Sequence, residues 1–137
     1  MSVYSSILLA TDAADSREEM CQVFDTAIEW ADAEAANLKI LHTVPPIGQS
    51  GVEYQLPSFS EIEDDLMTEA EDKVSEIVEE MCIEDANPSV VFGNFDEEVL
   101  KEKNVDLVVI NNDNETYWGS KAEAILQGNC DLLAVKT

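Results

Sequence analysis

Positive charge is what this chain has least of: across 137 residues, 7 Lys plus Arg stand against 30 Asp plus Glu, giving a formal net charge of -23 and a pI near 4.1. Binding to DNA, RNA or an anionic membrane relies on a basic patch that displaces counterions, so all three are set aside as partners. Cysteine is also scarce. Cys21, Cys82 and Cys130 are odd in number, far apart and unaccompanied by a CxxC pair or a histidine cluster, which argues against a disulfide framework and a zinc site. Each is expected to be a small buried or half-buried apolar residue. With His42 as the single histidine, no nucleophile, base and orienting group can be assembled. No catalytic residue is assigned, and the chain is not read as an enzyme. No stretch approaches ~18 apolar residues and the amino terminus has no basic leader, so a cytoplasmic protein is expected.

Glycine is short where it would matter most. The apolar run Val105-Asp-Leu-Val-Val-Ile110 has the pattern of a buried strand, yet it leads into Asn111-Asn-Asp-Asn-Glu-Thr-Tyr-Trp118, and no glycine follows until Gly119. A loop that wraps phosphate needs glycines so that backbone amides can approach the anion. Asp113 and Glu115 would add negative charge there instead.

What is present suits one domain. Hydrophobic residues make up 45% of the chain, enough for a single sizeable core. The acidity has three readings: a surface adapted to a salt-rich cytosol, calcium binding, or mimicry of nucleic acid. Molar salt screens self-repulsion to a Debye length of ~3 Å, and a halophilic host is the reading adopted. Asp12-Ala-Ala-Asp15 and Glu61-Ile-Glu-Asp-Asp65 lack the alternation and glycine of an EF-hand, so no metal ligands are assigned.

Strand and helix patterns alternate along the chain. Ile7-Leu-Leu-Ala10, ending in Thr11-Asp12, reads as a strand buried on both faces. Asp15 and Ser16 can cap a helix whose apolar positions are Met20, Val23, Phe24, Ala27, Ile28 and Ala31. Leu38 to Val44 is a second strand, stopped by Pro45-Pro46. Ser60 and Glu63 form a capping box before a long helix, about residues 60 to 82, carrying Ile62, Leu66, Met67, Ala70, Val74, Ile77, Val78 and Met81. Ser89 to Phe92 is a third strand, followed by a short helix with Val99 and Leu100 on its inner face. Val105 to Ile110 is the fourth strand, Gly119-Ser120 leads a helix with Ala122, Ala124, Ile125 and Leu126, and Asp131 to Val135 is the fifth. This alternation implies a single α/β domain over residues 1 to 137, with a parallel sheet and right-handed crossovers.

The pieces Ile7-Leu-Leu-Ala-Thr-Asp12, Leu38-Lys-Ile-Leu-His-Thr-Val44, Val105-Asp-Leu-Val-Val-Ile110, Gly119-Ser-Lys-Ala-Glu-Ala-Ile-Leu126 and Asp131-Leu-Leu-Ala-Val-Lys136, in that order and spacing, resemble the universal stress protein family over essentially the whole length. The resemblance implies an open, Rossmann-like five-stranded sheet of order 3-2-1-4-5 with helices on both faces. It also implies a homodimer formed by pairing of the last strand, Asp131 to Lys136. Many members hold ATP through G-2x-G-9x-G-(S/T) after the fourth strand; here only Gly119-Ser120 remains and the loop is several residues too short. The pattern is similar to the branch typified by the bacterial universal stress protein A, which lacks the glycines. A non-catalytic, homodimeric stress-response regulator without tight ATP binding and without a cofactor is therefore expected. The alternative is an ATP-binding switch or weak ATPase with magnesium on Asp113.

Candidate site residues follow from that resemblance. Asp12 ends the first strand at a topological switch point, where open α/β sheets place ligands, and the resemblance implies that it would contact an adenine. Its other reading is that it caps a turn. Val44 would line the same pocket, and Gly119 with Ser120 would meet an anion or cap the helix. His42 is read as a satisfied strand histidine. Tyr117 and Trp118 either close over the vacant cleft or anchor a partner, and Thr116 and Ser120 are candidates for phosphorylation.

Overall fold

A computed structural model describes residues 4–13, 15–44, 59–83, 88–93, 95–102, 104–112 and 130–136. The elements run β1 (Ser6–Asp12), α1 (Arg17–Glu34), β2 (Asn37–Val44), α2 (Phe59–Glu80), β3 (Ser89–Phe92), α3 (Phe95–Lys101), β4 (Leu107–Asn112) and β5 (Asp131–Lys136). All five strands are parallel and lie in the order β3-β2-β1-β4-β5. The expected helix over 119 to 126, with Gly119 and Ser120 at its start, falls outside the described residues.

Alternation along β1 explains the layering. Ile7 and Leu9 project into one apolar cluster with Met20, Val23, Phe24, Ala27 and Ala31 of α1 and Val74 and Ile77 of α2. Leu8 and Ala10 enter a second cluster with Phe95 and Val99 of α3. Because successive strand side chains point to opposite faces, β1 and β4 must be apolar at every core position. The sheet is thus covered by α1 and α2 on one face and by α3 on the other.

Local signals set most of the helix ends. Ser16, in extended conformation, caps α1: its hydroxyl accepts from the Glu19 N–H at 3.1 Å, and Glu19 Oε1 accepts from the Ser16 N–H at 3.0 Å. This reciprocal box satisfies two amides that have no partner within the helix. The residue after α1, Ala35, is left-handed at φ 52, and its N–H and that of Ala36 close onto the last turn. Helix α2 begins at Phe59, so Ser60 falls inside it rather than before it, while the side chains of the expected capping box lie outside the described set. Arg17 at the start of α1 pairs with Glu76 and, at 2.9 Å, with Glu80, joining the two helices across their exposed sides.

Three expectations are corrected. Leu100 is 50% exposed, and Phe95 joins Val99 inward instead. Residues four apart share a helix face, whereas position 100 is turned about 100° from 99. Cys82 is exposed and left-handed at φ 52, because it terminates α2 rather than packing below it. Strand β4 starts at Leu107 and runs on to Asn112, two residues later than the apolar run indicates. Asp106 stands just before the strand: its N–H donates to the Ser6 carbonyl at 2.9 Å and its carbonyl accepts from the Asp131 N–H at 3.0 Å. Its Oδ2 accepts from the Ser5 N–H at 2.8 Å, the Ser5 hydroxyl at 3.0 Å and the Ser6 N–H at 3.0 Å. These bonds, the Ser5 amide foremost, hold the Asp106 carboxyl below its ordinary pKa. At the other end, Asn111 and Asn112 keep register with Val135 and Lys136, so parallel pairing outlasts hydrophobicity.

An L residue in the left-handed region carries a steric cost that glycine escapes, partly offset by glycine's larger unfolded-state entropy. Ala35→Gly is accordingly expected to stabilise the chain by about 0.5 kcal/mol, read as a higher midpoint in urea unfolding at constant slope. A lower midpoint would remove this account of the α1 cap.

Candidate functional site

The strands end together at the carboxyl edge, and the polar residues there are buried. Thr11, Asp12, Asp15, His42, Thr43 and Asn111 are each 9% exposed or less. Asp12 is the register partner of Thr43 and lies at the end of β1, between β2 on one side and β4 on the other. In open α/β sheets this switch point is where the crevice for a ligand forms.

Asp12 participates in a turn that Asp15 closes. The Asp15 N–H donates to the Asp12 carbonyl at 2.9 Å, and Asp15 Oδ2 accepts from the Asp12 N–H at 3.0 Å. The Asp12 carboxylate itself accepts a long bond of 3.4 Å from the Thr43 hydroxyl. Across the crevice, the Asn111 side-chain amide donates to Asp15 Oδ1 at 2.9 Å and to Glu19 Oε2 at 3.0 Å. Glu19 thereby serves both the α1 cap and the end of β4. From α2, Lys73 Nζ donates to the Asp15 carbonyl at 2.8 Å. Four elements meet through one short loop, and the two Asn111 N–H groups stand between two carboxylates that would otherwise repel.

His42 sits one strand away. It is 1% exposed, and its Nδ1 shares a 2.7 Å hydrogen bond with the Thr11 hydroxyl. Burial, reinforced by Lys73 and opposed by Asp12, lowers its pKa to about 4. The strand histidine therefore has a partner that a sequence pattern does not identify, since Thr11 lies on a different strand.

Val44 ends β2 at 3% exposure, and its carbonyl accepts from the Gly93 N–H at 3.0 Å. Asp12 and Val44 thus both lie at the carboxyl edge, on adjacent strands. Gly119 and Ser120, together with Asp113, Thr116, Tyr117 and Trp118, lie outside the described residues. The sequence pattern marks Asp15 only as a helix cap, gives Glu19 no role in either the cap or the site, and makes Asn111 the first residue of a loop. One available signal was Asn111 directly after an apolar run: a strand continuing past its apolar segment has to satisfy a buried amide at the switch point. Among the described residues no group of His, Cys, Asp and Glu is arranged to hold a metal ion. Among the same residues no helix is long and apolar enough to cross a membrane.

No family model matches the chain. It is 29% identical to universal stress protein A homolog 2 of Coxiella burnetii over 144 residues, covering 99% of this chain and 97% of the relative. In structure it is similar to universal stress protein UspA from Lactobacillus plantarum, with a TM-score of 0.77, 18% identity, and coverage of 98% of this chain and 99% of the other. It is also similar to the universal stress protein from Archaeoglobus fulgidus solved in complex with dAMP, with a TM-score of 0.57, 16% identity, and coverage of 98% and 99%. The chain is thus similar in sequence to a universal stress protein, and the structural neighbours share its five-stranded α/β fold.

Because folded His42 takes a proton near pH 4 and an unfolded histidine near 6.5, the unfolded state binds more protons between those values. The stability that neutral His42 permits is complete above about pH 6.5 and is lost as pH falls towards 4. His42→Asn should flatten the stability curve over that window, reducing its total fall by up to about 3 kcal/mol. Parallel curves for the two proteins, from urea unfolding at constant salt, would contradict the assigned environment.

Proposed function

We propose that the chain is a universal stress protein of the kind that does not grip a triphosphate, acting without catalysis as a homodimeric stress-response regulator. The observation that carries this reading is the pair of carboxylates, Asp15 and Glu19, held on the Asn111 amide beside Asp12 at the switch point. Two like unit charges 4 Å apart repel by about 1 kcal/mol in bulk water and about 4 kcal/mol at an effective dielectric of 20. Each carboxylate therefore opposes a nearby phosphate by at least several-fold in affinity. The missing glycines between Ile110 and Gly119 remove the backbone amides that could offset this. Calorimetric titration of ATP with magnesium, at physiological and at molar potassium chloride, is expected to give no affinity tighter than about millimolar. Micromolar binding overturns the proposal.

A second reading is favoured by the relative solved with dAMP and by Asp12 and Val44 sharing the carboxyl edge. There the chain is an adenine-nucleotide switch, and Asp12→Ala removes binding that the wild type possesses. The two readings separate on the wild-type titration alone.

The acidic surface fits a protein of a salt-rich cytosol, where screening relieves the repulsion of a net charge of -23. The proposed dimer rests on β5 as the edge of the sheet, with Leu132, Leu133, Ala134 and Val135 half-buried. An edge strand with an apolar sequence is a liability unless it is covered or paired. Sedimentation at molar salt should report a dimer, and a monomer there removes this part of the proposal.

A further inference from the structure

At the amino edge of the sheet, away from the crevice, an aromatic pair is fixed in place. Tyr4 donates its backbone N–H to Glu34 Oε1 at 2.9 Å and its hydroxyl to Asp131 Oδ2 at 2.8 Å. The Asp131 hydrogen bond in turn raises the Tyr4 pKa above its ordinary value. Its ring meets the Trp30 indole at a centroid distance of 6.1 Å and an interplanar angle of 64°, an edge-to-face arrangement. Trp30 nevertheless stays 40% exposed and belongs to neither apolar cluster, so the core does not account for it. Glu34 lies one helical turn beyond Trp30 on α1, and Glu29 beside it is exposed.

We propose that the Trp30 and Tyr4 face, flanked by Glu34 and Asp131, is a docking surface for an arginine-bearing segment of a partner protein. The argument is one of complementary chemistry. A guanidinium is planar, stacks on an indole through cation–π attraction, and presents a fork of donors to carboxylates; a lysine ammonium lacks the plane and the fork. An indole already held by Tyr4 loses little freedom when it is covered. A second copy of this chain is a poor source of the guanidinium, because its only arginine, Arg17, is already bound to Glu76 and Glu80. The proposal does not depend on what the crevice binds.

The test must separate this surface from the general attraction of a polyanion for any basic peptide. Synthetic hexapeptides alternating Arg and Gly, or Lys and Gly, are titrated calorimetrically into the full chain at 0.15 M and 1 M potassium chloride, between which the Debye length falls from ~8 Å to ~3 Å. The arginine peptide should bind at least about threefold tighter than the lysine peptide, and Trp30→Leu should weaken it about fivefold, since leucine keeps apolar area but has no π face. Glu34→Gln, which lies outside the proposed dimer strand and still accepts from the Tyr4 N–H, should weaken it as well. Glu97→Gln, an exposed carboxylate on α3 across the sheet, should change it less than twofold at the higher salt. In a Trp118→Phe background, the arginine peptide should also quench Trp30 fluorescence. Equal binding of both peptides with no effect of Trp30→Leu would reduce the surface to nonspecific charge and overturn the proposal. It is equally overturned if sedimentation finds that Trp30→Leu dissociates an oligomer, since a second copy would then cover the face.

Discussion

Strand β1 has no side that faces water, and the rest of the molecule is arranged around that constraint. Ile7, Leu8, Leu9 and Ala10 are all essentially inaccessible, two on each face. A strand with this composition requires a paired strand on either edge and a helical layer on either side. It finds β2 and β4 as neighbours, α1 and α2 above and α3 below. The same constraint places Thr11 and Asp12 at the point where the chain must leave the sheet without leaving polar groups unsatisfied.

How those polar groups are satisfied distinguishes the crevice from the surface. A chain with 30 carboxylate residues and 7 Lys or Arg cannot pair its acids with cations one for one. At the switch point neutral donors take that role: the Asn111 amide, the Asp12 and Ser16 backbone N–H groups, and the Thr43 hydroxyl. At the opposite edge Asp106 is served by Ser5 and Ser6, and Asp131 by the Tyr4 hydroxyl. Hydrogen bonds to ionised acceptors are stronger than those between neutral groups, so these donors stabilise each junction, and at the switch point Lys73 adds its cation through the Asp15 carbonyl. The crevice keeps an acidic character that distinguishes it chemically from a phosphate cradle.

Much of this was legible because it depends on local pattern. The two-sided run at Ile7 to Ala10, the Ser16 cap, and the α1 stripe of Met20, Val23, Phe24, Ala27 and Ala31 each declare themselves within a few residues. The site was legible only in part. Asp12 was picked out because it ends a strand, but Asp15, Glu19 and Asn111 are separated by up to 96 residues, and nothing in their types marks them as partners. The limits of β4 were misjudged for a related reason. Hydrophobicity reports which residues leave water, whereas a parallel ladder is held by backbone groups that every residue carries, so Asn111 and Asn112 remain in the strand.

By itself, then, the sequence determined the class of fold, the two-sided burial of its central strands and the shortage of glycines after Ile110, because side-chain periodicity and backbone freedom are properties of short stretches. Only the tertiary structure decided that Asn111 would stand between Asp15 and Glu19, that Thr11 would become the partner of His42, and that Tyr4 would hold Trp30 at the surface. Each of these joins residues brought together by strand order and register, which are fixed by packing the whole sheet at once.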